Sequence, residues 1–280
     1  MRHLSKLFVI IFYRIAFIFS GFLILAFIFS IIEFYSTPGD NFKTNISSSK
    51  TIESTTSELV TNKLYWKDYD NDDYYEYFSI KYFDYLSSLK YKNGLLYVSS
   101  YSELYEKVSK YDKNKITLIY NTLNQIRIDE NMNKRKFAEV LVSFVQTIPY
   151  SLVMRDNCDS AYSSDQNVRK MINDGVSCDG PVYAGVYSPI EFIKNFKGDC
   201  DSRTLFLYTL FKKFNYDIVI LNSDLYAHSI IGVNLPSTGR YKTYLGKRYY
   251  TWETTNKGWQ LGVLPPTANI MKYWYVALAS

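Results

Sequence analysis

The stretch NFKGDCDSRTLFLYTLFKKFNYD, residues 195–217, decides how the rest of the chain is read. Leu207, Leu210, Phe211 and Phe214 recur at helical spacing and form one apolar face, which predicts a helix starting near Asp201. Cys200 then stands at the helix N-terminus, wedged between Asp199 and Asp201 and preceded closely by Gly198. Unpaired backbone N–H groups and the positive end of the helix dipole favour an anion there, and the thiolate is the nucleophilic form of cysteine. Gly198 admits a sharp turn into the helix without a Cβ clash. The two aspartates read as helix-start residues, one capping and one in the first turn. Their charges oppose thiolate formation, so a cationic partner is required.

Downstream, three segments look like strands: 216–223, 228–234 and 247–255. A helix followed by consecutive strands predicts an α+β fold with an antiparallel sheet. Past the first 35 residues the chain has a single histidine, His228, at the start of one of these strands. An imidazole can stabilise a thiolate and then protonate a leaving group. A third group is needed to orient it, and Glu253 is the candidate. If strands 228–234 and 247–253 pair so that opposed residue numbers sum to 481, His228 faces Glu253 directly, with Cβ atoms about 5 Å apart. A slip of one residue would separate them.

Upstream, Ile116, Ile119, Tyr120 and Leu123 mark one helical face, and Phe137, Val140, Leu141 and Phe144 another, which Pro149 ends. Residues 151–190 are irregular and contain Cys158 and Cys178; so long a stretch is expected to be functional or stapled. Residues 66–98 mix aromatic and β-branched residues, which predicts a strand-rich opening with Asn93-Gly94 as a hairpin turn. Asp68, Asp70 and Asp72 resemble the start of a calcium loop. Asp73 and Ser79 occupy its sixth and twelfth positions, where Gly and Glu are required, so the segment reads as a solvated acidic turn.

The first 35 residues do not belong to a soluble fold. Ile15 to Ile32 is an uncharged run of 18 residues, preceded by Arg2, Lys6 and Arg14 and followed by Glu33 and Asp40. Length and charge bias predict one transmembrane helix with the N-terminus cytoplasmic and everything after it extracytoplasmic. A cleaved signal peptide is the rival, but no small-residue cleavage site follows. Residues 36–62, rich in Ser, Thr and Asn, read as a flexible tether, and the sequon at Asn45 as chance. The domain then divides into a strand-rich and helical part, 63–135, and a core, 136–280. The net charge of +5 comes from 32 bases and 27 acids with no basic block, which excludes a nucleic-acid surface. The 28 tyrosines are scattered and read as core filling.

The blocks GDCDSRTLFLYTLF, AHSIIGVN and YYTWETTN resemble the Cys, His and acidic blocks of the transglutaminase-like superfamily of papain-fold cysteine enzymes, over about residues 137–262. The resemblance implies Cys200 as nucleophile, His228 as base and Glu253 as third member, with Glu where Asp is commoner. It implies attack on an amide carbonyl and a thioester resolved by water or an amine. It also suggests Gln146, in FVQTIPY, as an oxyanion donor beside the Cys200 N–H; the alternative is an interior polar residue bonded to the irregular loop. No cofactor is implied. The expected substrate is a peptide or protein amide, a cell-wall peptide among the options. A non-catalytic peptide- or cell-wall-binding module on the same fold is the second reading. In an extracytoplasmic domain Cys158 and Cys178 are expected to pair, leaving Cys200 free. The competing arrangement is zinc on Cys158, Cys178, Cys200 and His228, without the short Cys spacing of structural sites.

Overall fold

The computed structural model describes residues 58–159 and 165–280. The expected anchor (1–35), the sequon and nearly all of the tether lie outside the described residues. Among those described, no helix is long and apolar enough to cross a membrane.

The described chain opens on a hairpin of β1 (Leu59–Lys67) and β2 (Asp73–Lys81), so the last residues assigned to the tether are strand. Alternation explains the change: Leu64, Trp66, Tyr74, Phe78 and Ile80 point inward, while Tyr65, Tyr75 and Tyr77 face out. The turn is the acidic segment, not Asn93-Gly94. Asp68 accepts the backbone N–H groups of Asp70 and Asp72, and Asn71 supplies the left-handed residue at φ 68°. Asn93 instead ends helix α1 (Tyr82–Asn93), and the Gly94 N–H caps it on the Lys90 carbonyl. Tyr82, Tyr85, Leu86 and Leu89 follow helical spacing there, a period that the β-favouring aromatic residues obscured.

Helices α2 (Tyr101–Asp112), α3 (Thr117–Asp129) and α4 (Lys134–Thr147) follow, α4 ending just before Pro149 as expected. The irregular segment is stapled. Cys158 and Cys178 form a disulfide with Cα atoms 5.8 Å apart, beside a short parallel pairing of β3 (Leu152–Val153) with β4 (Cys178–Asp179). Between them lies α5 (Gln166–Asn173). Helix α6 (Pro189–Asn195) starts with a capping box, Ser188 bonding the Glu191 N–H and Glu191 the Ser188 N–H.

Helix α7 (Cys200–Lys213) is the centre of the described domain. Leu205, Phe206, Leu207, Tyr208, Leu210 and Phe211 are all buried, so its whole circumference is packed, as a core helix requires. It lies on an antiparallel sheet of β5 (Ile218–Ser223), β6 (His228–Val233), β7 (Tyr241–Tyr244), β8 (Lys247–Trp252) and β9 (Tyr275–Ala279), in the order β7-β8-β6-β5-β9. The architecture is α+β with antiparallel sheets. One apolar core runs through the parts expected to divide at residue 135: Phe78 of β2 packs on Phe144 of α4 with ring centroids 4.5 Å apart.

Candidate active site

Cys200 is the first residue of α7, and Asp199 is its N-cap. The Asp199 carboxylate accepts the Ser202 N–H at 3.0 Å and the Ser202 hydroxyl at 2.7 Å. Asp201, in the first turn, accepts the Tyr105 hydroxyl at 2.6 Å. Gly198 serves packing more than turning. Its φ is not positive, but an added Cβ would lie 2.9 Å from Phe192 Cδ2 and 3.1 Å from Ser202 Cβ. The cysteine is thereby drawn into the body of the protein, and only 9% of it is exposed. It is free, and its helix is tied to the histidine's strand where the hydroxyls of Thr204 and Ser229, the residue after His228, lie 2.8 Å apart.

His228 begins β6, just after Ala227 in the left-handed region at φ 46°, an uncommon conformation for alanine. Its Nε2 lies 2.8 Å from Glu253 Oε2. The register that achieves this differs from the expected one. Ile231 opposes Trp252 and Val233 opposes Tyr250, so paired numbers sum to 483 rather than 481. A shift of two residues preserves the sheet face, whereas a shift of one would not. Glu253 therefore sits just past the end of β8 and reaches His228 diagonally.

The other oxygen of Glu253, Oε1, accepts the Thr254 and Thr255 N–H groups at 2.8 and 2.9 Å and the Thr255 hydroxyl at 2.7 Å. Burial would raise its pKa, but His228 and these donors hold it down at about 2. For His228, burial works against the imidazolium, yet the Glu253 hydrogen bond and charge, with Asp201 and Asp199 behind them, raise its pKa overall. With Nε2 committed to Glu253, Nδ1 is the nitrogen left to exchange a proton. The edge of the ring meets Trp274, centroids 6.0 Å apart, and Trp274 is fixed by its own N–H to the Ala268 carbonyl.

The electrostatics of the cysteine run opposite to the helix-end expectation. Burial first, then the Asp201 and Asp199 charges, push the thiol well above its ordinary value. Burial and the Asp201 charge push Asp199 itself up to about 7, and burial raises Asp201 too. Burial and the two carboxylates thus favour the thiol over the thiolate.

Gln146 is an interior polar residue with no donor left for an oxyanion, and it is bonded to the loop after β8 rather than to the irregular segment. Its side-chain amide donates to the Glu253 carbonyl at 2.7 Å and the Trp259 carbonyl at 2.9 Å. Its oxygen accepts the Tyr69 hydroxyl and the Gly258 N–H. With both donors spent, it braces the Glu253 loop. The zinc set is likewise dissolved, because Cys158 and Cys178 are bonded to each other. The acidic turn is not simply solvated: Asp68 is buried, and the Lys136 ammonium reaches Asp68, Asp70 and Asp72 at 2.7, 2.6 and 2.8 Å, taking the position a cation would.

The sequence reading missed Arg203, which is fully buried and organises the site. Its guanidinium donates to the carbonyls of Gly198 (3.0 Å), Val145 (2.6 Å), Ile148 (2.6 Å) and Thr254 (3.3 Å). It thus ties the end of α4 and the turn before the cysteine to the loop carrying Glu253. The signal was present, since Arg203 lies four residues before Leu207 on the inward stripe, where a solvated charge has no place.

Comparisons with protein-family models, with curated proteins and with solved structures gave no match to this chain.

Proposed function

We propose that the protein is a cysteine enzyme of the transglutaminase-like, papain-fold kind that cleaves or transfers peptide amide acyl groups. The observation that carries this reading is the 2.8 Å bond between His228 Nε2 and Glu253 Oε2, beside a free cysteine at the start of a helix packed on the histidine's strand. In this reading the raised thiol pKa favours proton transfer to His228 Nδ1 as attack occurs, over a standing thiolate. Sγ bonds to the amide carbonyl carbon, and the imidazolium returns the proton to the departing nitrogen as the C–N bond breaks, leaving a thioester. Water or an amine then attacks the thioester, gives its proton to His228, and yields a carboxylic acid or a new amide, with the thiol regenerated. The Cys200 backbone N–H, at the helix start, is the available oxyanion donor.

We also propose the extracytoplasmic side of a membrane as its location, with residues 1–35 as anchor. The Cys158–Cys178 disulfide supports an oxidising compartment.

A second reading, a binding module with a retired site, is favoured by the buried thiol, held towards its protonated form between the Asp199 and Asp201 carboxylates. Turnover of peptide amides by the purified protein separates the two. The enzyme reading expects Cys200→Ala and His228→Ala each to abolish turnover with the far-UV spectrum unchanged. Undiminished turnover in either variant would refute it.

A further inference from the structure

At the start of α2 the chain forms a cleft of about 680 Å³. One wall is the approach to α2, residues 96–101 with Leu104; the other is 181–184, and Arg155 completes the lining. Two tyrosines tie the walls together: the Tyr101 hydroxyl donates to the Ala184 carbonyl at 3.3 Å, and the Tyr183 hydroxyl donates to the Leu95 carbonyl. The cleft therefore exists before any ligand arrives.

One wall leads to the site: the Tyr101 ring packs on that of Tyr105, one turn further along α2, with centroids 5.9 Å apart, and the Tyr105 hydroxyl bonds Asp201, the residue after Cys200.

Arg155 is the one charged side chain lining the cleft, and among the described residues it makes no hydrogen bond or ion pair. The backbone of the preceding residue is held from both sides. The Met154 N–H donates to the Asp179 carbonyl and the Val182 N–H to the Met154 carbonyl, both at 2.8 Å. Gly185, at φ 67°, lets the facing turn close over it; a Cβ there would lie 3.2 Å from the Arg155 nitrogen. The disulfide clamps the same two segments. An exposed guanidinium with no partner of its own among the described residues, at the edge of this cleft, presents the two-donor fork that a carboxylate matches.

We infer that this cleft binds an acidic side chain of the substrate peptide, on the acyl side of the amide, with Arg155 as its anchor; the inference rests on Cys200 being the nucleophile. The test uses the full chain and tripeptidyl acyloxymethyl ketones that carry Glu, Gln or Lys at each position in turn. The readout is the rate at which Cys200 is alkylated, followed by intact mass, with iodoacetamide on the wild-type protein as the neutral reference. At one position the Glu probe should react roughly tenfold faster than its Gln counterpart, the scale of one charge-assisted hydrogen bond. Arg155→Gln should bring that ratio near one, and Arg155→Glu should turn the preference towards Lys. Iodoacetamide labelling with equal Glu and Gln rates at every position would overturn the cleft inference and leave the thiol reading standing. Absence of Cys200 labelling by every reagent would overturn both.

Discussion

Glu253→Gln tests the site through both stability and chemistry. The folded protein holds the Glu253 carboxyl at about 2 against an ordinary 4.5. At about 1.4 kcal/mol per pH unit, this corresponds to about 3 kcal/mol favouring the anion. The residue is only 2% exposed, so little solvent screening reduces the figure. Glutamine can keep one oxygen towards Thr254 and Thr255, which confines the loss to the His228 side and sets it at about 1–3 kcal/mol at pH 7. For a domain of this size the melting temperature should fall by about 3–10 °C. Because the Glu253 pKa is depressed, its contribution is fully present above about 4.5 and is lost as pH falls towards about 2. Urea unfolding followed by tryptophan fluorescence at pH 7, 4.5 and 3 should show the gap between wild type and variant narrowing below pH 4.5. The glutamine –NH2 would also meet Nε2 as a donor, which forces the imidazole proton onto Nδ1, where it blocks uptake of the thiol proton. Alkylation of Cys200 should therefore slow even where the fold survives. A gap independent of pH, together with unchanged alkylation, would refute the reasoning.

Removing Arg203 should be costly, because Arg203→Ala leaves four carbonyls without their donor in a buried site; a loss of about 3–5 kcal/mol in chemical denaturation is expected, with Arg203→Lys recovering only part. Asp112, fully buried where it accepts the Ile190 N–H, has its pKa raised to about 6, chiefly by burial. Its protonation therefore supports the fold below about pH 4, and that support is lost as pH rises through about 6. Asp112→Asn should remove about 3 kcal/mol of that pH dependence between pH 4 and 7, read from unfolding free energies. Reducing the Cys158–Cys178 bond, which closes a sequence separation of 20, should lower stability by about 3 kcal/mol in the chain-entropy account, measured by melts with and without dithiothreitol.

The sequence carried the site better than the fold around it. The helix-start position of Cys200 and the meeting of His228 with Glu253 are legible because side-chain type, a helix start and strand parity are local signals, and parity survives the two-residue error in register. The disulfide was legible from the same count that left Cys200 unpaired. Helices α1 and α2 were not, since tyrosine-rich segments satisfy strand propensity and helical period at once, and only packing against the core decides between them. Burial was the other hidden quantity. Cys200 looks like an accessible helix-start thiol in the sequence, and its burial, with the charges of Asp201 and Asp199 behind it, is what reverses the expected effect on its pKa. The two roles open for Gln146 could be separated only by seeing where its amide hydrogens go.

The most direct test of the account is the rate of Cys200 alkylation by iodoacetamide across pH 5–10, in wild type and in His228→Ala. If His228 serves the cysteine, the wild-type protein should label roughly tenfold faster or more at neutral pH, and the onset of labelling should move to higher pH when the imidazole is removed. Coincident profiles for the two proteins would contradict the account and leave Cys200 as a buried structural thiol.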